Sequence, residues 1–149
     1  MAEIGFYHLT RSSTVEALAQ LLGRTLAAGQ RAVVRVKDEA AVAALDQALW
    51  AVTDPPFLPH GRAAEGDADL QPIWLTATDA APNGATFLFL TDGAESALTA
   101  GATRIFDLFD GNDPEAVEAA RDRWRAARTA GHMPVYWRQG ARGWERQSG

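Results

Sequence analysis

The run Phe87-Leu88-Phe89-Leu90 has no polar residue at either phase of a strand's alternation, so as a strand it must bury both of its faces. Ile73-Trp74-Leu75 reads the same way, and a Pro82-Asn83-Gly84 turn separates the two runs. A sheet with such strands near its centre needs helices on both sides. The first third of the chain has the rhythm that builds one. Residues 3–9 and 32–36 read as strands. Between them Ser13 and Glu16 form a capping box, Val15, Leu18, Leu22 and Leu26 recur at helical spacing, and Gly29 stops the helix. Asp38 then caps a second helix with the stripe Val42, Leu45 and Leu49. Strand-helix-strand-helix is the pattern of parallel strands joined by crossover helices. The expected fold is one three-layer α/β domain over residues 1–149, a mostly parallel sheet with helices on both faces.

From residue 53 to 69 the pattern breaks, because Asp54-Pro55-Pro56 and Leu58-Pro59 cannot continue a helix or join a central strand. Residues 95–100 form a short segment before a strand at 104–109. Asp113-Pro114 opens a long helix with a cap and a first-turn proline, and Gly131 ends it. Residues 134–138 read as a terminal strand, and residues 140–149 as a loose C-terminal tail.

An α/β layout invites a nucleotide, but the first strand-to-helix turn, His8-Leu9-Thr10-Arg11-Ser12-Ser13, has no glycine to let a pyrophosphate approach the backbone. The chain's one lysine, Lys37, lies in no phosphate-loop pattern. The expectation is a nucleotide-binding-like topology without a nucleotide, cofactor or metal. Cysteine is absent, which excludes thiol catalysis and thiolate metal sites, and His8, His60 and His132 show no ligand spacing. Asp67-Ala68-Asp69 beside Glu65 is the best metal candidate, since paired loop carboxylates can hold Mg²⁺, although such triplets also occur in solvated loops. A metal-dependent enzyme built on Asp67 and Asp69 therefore stays open as an alternative. No nucleophile–base arrangement is visible, so no catalytic residue is assigned. No apolar run reaches the ~18 residues of a membrane span, and a soluble, cytoplasmic protein is expected.

Charge is distributed unevenly. Residues 1–120 carry a net −10 and residues 121–149 a net +5, within a total of −5. An acidic body argues against a protein whose main work is coating a polyphosphate, while a small basic end suits a compact anionic partner. Direct nucleic-acid binding by that end is a second alternative. On the long helix Val117, Ala120, Trp124 and Ala127 form the inward stripe, and Arg121, Arg125 and Arg128 line the stripe beside it. Guanidinium forks beside an aromatic edge suit a ligand with a ring and a carboxylate. Equally, Glu118 and Asp122 can pair with these arginines while Trp124 serves as core. A second constellation is Trp50, at the end of the second helix, with Phe57 in the proline-braced loop. A stiffened loop presents aromatics for recognition at small entropic cost, or both rings tuck beneath it as a satellite of the core.

Taken in order, Phe6-Tyr7-His8-Leu9, residues 44–50 ending in Leu49-Trp50, Phe57-Leu58-Pro59-His60, residues 66–72, Pro82-Asn83-Gly84, Leu90-Thr91-Asp92-Gly93, Phe106-Asp107-Leu108-Phe109-Asp110 and Arg121-Asp122-Arg123-Trp124-Arg125 resemble the chi-subunit family of bacterial DNA polymerase III holoenzyme. The resemblance implies a non-catalytic accessory subunit of a DNA-directed DNA polymerase (a nucleotidyltransferase), attached to the clamp loader. It implies a bridge to single-stranded-DNA-binding protein, whose acidic, phenylalanine-ended C-terminal tail would be gripped by a patch matched here by Arg121, Trp124 and Arg125. Arg128 continues that patch and Phe109 matches an apolar wall position. Family members commonly carry Tyr and Lys where this chain has Trp124 and Arg125, so ring and charge are kept. The family's other surface, matched by Trp50 and Phe57, implies a psi-type subunit or a helicase-like repair protein as partner. Contact with DNA would be indirect.

Overall fold

The computed structural model describes residues 3–52, 58–62 and 70–147. Eight strands form one sheet: β1 (Glu3–Leu9), β2 (Ala32–Arg35), β3 (Gly61–Arg62), β4 (Ile73–Thr76), β5 (Phe87–Thr91), β6 (Arg104–Asp110), β7 (Val135–Gly140) and β8 (Gly143–Gln147). Their order is β3-β4-β2-β5-β6-β1-β7-β8. Every neighbouring pair is parallel except β7–β8. The helices α1 (Thr14–Ala27) and α2 (Glu39–Ala51) cover one face and α3 (Pro114–Thr129) the other. This is the three-layer α/β arrangement that the doubly apolar strands require.

Alternation within each strand divides the core. Tyr7, Leu9, Val34, Phe89, Phe106 and Leu108 lie under Leu18 and Leu22 of α1 and Val42, Leu45 and Leu49 of α2. Ile4, Phe6, Val33, Leu88, Ile105 and Phe109 lie on the opposite face, under Ala120 of α3, with Val117, Trp124 and Ala127 partly buried around it. Leu88 and Phe89 are neighbours in sequence and both essentially inaccessible, 1% and 0% exposed. Each such burial is worth roughly 1.5–3 kcal/mol, which fixes β5 as a central strand.

The helix signals hold in detail. Ser13 accepts from the Glu16 N–H while the Glu16 carboxylate accepts from the Ser13 N–H, both at 3.1 Å. Asp38 accepts from the Ala41 N–H at 2.8 Å and Asp113 from the Glu115 N–H at 3.0 Å. Gly29, at φ 76°, supplies the left-handed residue that closes α1.

Two segments depart from the sequence reading. Residues 143–147, expected within a loose tail, form the edge strand β8, antiparallel to β7. The reason is Trp144, which packs edge-to-face on Tyr7 with ring centroids 5.1 Å apart. One apolar residue among Glu145, Arg146 and Gln147 gives too little alternation to announce a strand. Gly61–Arg62, within the proline-rich break, adds the short strand β3 at the other edge.

The turn between β1 and α1 is closed by a side chain from the far end of the chain. Gln139 Oε1 accepts the backbone N–H groups of Thr10, Arg11 and Ser12 at 3.0, 2.9 and 3.2 Å. Its Nε2 donates to Ser12 Oγ at 2.7 Å, and the Thr10 hydroxyl donates to the Gln139 carbonyl at 3.1 Å. Converging N–H groups in the turn between a strand and a helix are what an α/β nucleotide site aims at a phosphate. Here an amide oxygen of the same chain takes that position.

Candidate functional site

Trp124, Arg121, Arg125 and Arg128 of α3 meet His8 of β1, Tyr136 and Arg138 of β7 and Gln147 of β8 around one open pocket of about 480 Å³. The helical face and the strand edge come together because β7 follows α3 and pairs with β1, placing Tyr136 opposite Phe6 and Arg138 opposite His8.

The floor is aromatic. His8, Phe109 and Tyr136 pack edge-to-face with centroids 5.2, 5.7 and 6.0 Å apart. The Tyr136 hydroxyl and His8 Nδ1 are hydrogen-bonded at 2.5 Å. Gly111 leaves room for the His8 ring, since a Cβ there would collide with it. Phe109 is only 2% exposed and supports the floor from behind His8 and Tyr136 rather than forming a wall. Trp124 is half-buried against the core, and the Arg128 guanidinium lies 4.9 Å over its ring. Trp124 thus packs on the core and also lines the pocket.

The arginines differ in their engagement. Arg125 Nη1 donates to Asp122 Oδ1 at 2.9 Å in an exposed pair, so the intrahelical salt-bridge alternative is realised for this residue. No carboxylate among the described residues pairs with Arg121. The fields of Arg121 and Arg138 both reach the floor. Burial, followed by the Arg138 guanidinium, holds the His8 imidazole below its usual range, with a smaller push from Arg121. Burial pushes the Tyr136 phenol up, and Arg121 and Arg138 partly offset it. Cations around an aromatic floor are chemically suited to a ring joined to an anionic group.

The sequence singled out Arg121, Trp124, Arg125 and Arg128 by helical spacing, and all four line this pocket. It missed His8, Tyr136, Arg138 and Gln147, because strand residues reach a helical face only through sheet order. The aromatic strand Phe6-Tyr7-His8-Leu9 was the available signal.

The second constellation is elsewhere. Trp50 is 56% exposed at the end of α2, its ring centroid 4.1 Å from that of the buried His60. His60 Nδ1 donates to the Leu58 carbonyl at 2.7 Å, and Nε2 lies 3.2 Å from the Asp46 carbonyl. Asp46 in turn accepts from Arg62 Nε at 3.1 Å. Trp50 is therefore a surface ring on a braced support, not a buried satellite. Phe57, Glu65, Asp67 and Asp69 lie outside the described residues. Among the described residues no group of three metal-ligating side chains occurs, and no helix is long and apolar enough to cross a membrane.

Comparison with known proteins identifies the lineage. Residues 1–134 match the family described as DNA polymerase III chi subunit, HolC. The chain is also 27% identical over 141 residues to DNA polymerase III subunit chi of Escherichia coli (strain K12), across 88% of this chain and 94% of that protein. The match spans β1 through α3, including every helical residue of the basic pocket, so this chain belongs to the DNA polymerase III chi-subunit family.

Proposed function

We propose that this chain is a non-catalytic connector that uses the Arg121–Trp124 pocket to hold the acidic, phenylalanine-ended C-terminal tail of single-stranded-DNA-binding protein. Family membership makes it an accessory subunit of the DNA polymerase III holoenzyme, at work in DNA replication. The observation that carries the finer reading is the placement of four guanidinium groups, Arg121, Arg125, Arg128 and Arg138, around the Trp124 and Tyr136 rings in an otherwise acidic protein. The terminal ring of the tail would enter against Trp124 and Tyr136, and its carboxylates would meet Arg121 and Arg125, one helical turn apart. Ring burial contributes roughly 1.5–3 kcal/mol and each charge-assisted hydrogen bond about as much. After ordering costs the affinity should be on the order of micromolar. The exposed Trp50 is the docking ring for a psi-type clamp-loader subunit or a helicase-like repair protein. Contact with DNA would then run through these partners.

Calorimetric titration of the tail peptide, with and without its terminal phenylalanine, into wild type and Arg121→Ala tests the reading. Binding should fall with the missing ring and with the missing guanidinium, and weaken with salt. Arg138→Ala, on β7 and off the helical stripe, should cost less than Arg121→Ala. Equal affinities in all combinations would end the tail-site assignment.

A further inference from the structure

A second basic-aromatic bowl lies on the opposite face of the same two strands. Tyr7 and Trp137, paired in the β1–β7 register, point to the α1 side, whereas His8 and Tyr136 point to the α3 side. An aromatic row crosses the sheet beneath the end of α1. Phe87 and Phe106 are 6.1 Å apart by centroid, Phe106 and Tyr7 5.7 Å, Tyr7 and Trp137 6.5 Å, and Trp144 meets Tyr7 edge-on. Gly5 makes the bowl possible. The Tyr7 ring lies back over it, in space that a Cβ at Gly5 would occupy.

The rim is cationic. Arg24 comes from the last turn of α1, Arg142 from the β7–β8 turn and Arg104 from the start of β6. The Arg104 guanidinium lies 4.7 Å over the Phe106 ring. Its carboxylate neighbour, Glu3, stands at 3.9 Å in a solvent-exposed pair. The excess of positive charge here sits within a stretch of net −10, residues 1–120, plus Arg142. The bowl's volume is about 460 Å³, close to that of the α3-side pocket.

We propose that this bowl is a second docking site for an acidic peptide segment bearing an aromatic side chain. The ring would pack against Trp137 and Trp144, and the carboxylates would meet Arg24, Arg104 and Arg142. The choice of peptide rests on the tail-binding reading of the α3-side pocket, whose composition this bowl repeats. A peptide fits better than a nucleic-acid strand. The aromatics close one bowl instead of lining a groove that follows a chain of phosphates, and the body of the chain, residues 1–120, carries a net −10. Because the two sites face away from each other, one chain could hold two tails at once and gain from effective concentration.

The test is a titration of the full chain with an acidic peptide ending in phenylalanine, followed through the indole N–H signals of tryptophan. Trp137→Phe and Trp144→Phe assign the signals. In Arg121→Ala/Arg125→Ala, which disables the α3-side pocket, the Trp137 and Trp144 signals should still move. In Arg24→Ala/Arg142→Ala that response should weaken by about tenfold or more, as expected for losing charge-assisted contacts, while Trp124 responds as in wild type. If only Trp124 moves, the second site is refuted and the tail reading stands. If no signal moves, both fail. If an oligodeoxynucleotide moves Trp137 and Trp144 and the peptide does not, the bowl serves nucleic acid and the peptide proposal is overturned.

Discussion

Arg123 of α3 grips Asp107 at the centre of β6 with two hydrogen bonds, Nε to Oδ2 at 2.7 Å and Nη2 to Oδ1 at 2.9 Å. Asp107 is 4% exposed, and burial raises its carboxyl above the usual range even though Arg123 opposes the shift. The pair pins α3 to the sheet, with Arg121 and Trp124 directed to the next face. Arg123→Ala leaves a buried carboxylate unpaired and should cost about 3–5 kcal/mol in urea denaturation. Asp107→Leu/Arg123→Met should recover most of that loss, because the desolvation cost leaves with the charges. A double variant as unstable as Arg123→Ala would show that the pair contributes packing rather than charge compensation.

The fold was legible where local chemistry and burial agree. The apolar strands at Ile73 and Phe87, the Ser13–Glu16 box and the Asp113-Pro114 start each combine a propensity with a cap or a doubly buried face. Trp144 shows the opposite case, because the apolar anchor of β8 is one ring seated on Tyr7, a contact 137 residues away in sequence. The helical half of the α3-side pocket was readable from three- and four-residue spacing. The strand half depended on β7 pairing with β1, which no local pattern encodes. Gln139 was invisible for the same reason, whereas the lack of phosphate-binding glycines in the turn it closes was plain.

His8 titrates below its ordinary range because it is buried and faces Arg138. The unfolded chain then takes up a proton at higher pH than the native protein does, so stability rises with pH through this window. It should be complete above about pH 6.5 and decline as pH falls through that value toward the lower native one. His8→Gln should flatten this part of the profile. A bound carboxylate opposes the guanidinium field, so tail binding near pH 6 should be accompanied by proton uptake, visible as a buffer-dependent enthalpy. An enthalpy independent of the buffer would show that the ligand does not approach His8.

Trp50 and His60 should separate recognition from stability. Trp50→Ala removes an exposed ring and should change stability by less than about 1 kcal/mol while weakening capture of a psi-type partner about tenfold or more. His60→Ala removes the support beneath it and two buried hydrogen-bonding nitrogens, and should cost about 2–3 kcal/mol. Equal destabilisation by both substitutions would make Trp50 a structural residue.

Gln139 offers a direct test of why the β1–α1 turn is closed. Its amide oxygen accepts the backbone N–H groups of Thr10, Arg11 and Ser12, in the turn that leads into the α1 cap Ser13, and converging N–H dipoles favour negative charge. Gln139→Glu would put a carboxylate oxygen there, and the Ser12 hydroxyl can turn from acceptor to donor toward it. The variant should be more stable than wild type by about 1 kcal/mol, and the gain should shrink with salt. Gln139→Ala should lose about 1–2 kcal/mol, less than three full hydrogen bonds, because water reaches the partly exposed turn. It also opens the N–H cluster, so inorganic phosphate should raise the melting temperature of Gln139→Ala more than that of wild type. If Gln139→Glu were less stable than Gln139→Ala, the turn would be shaped for a neutral amide, and its likeness to a phosphate cradle would carry no electrostatic meaning.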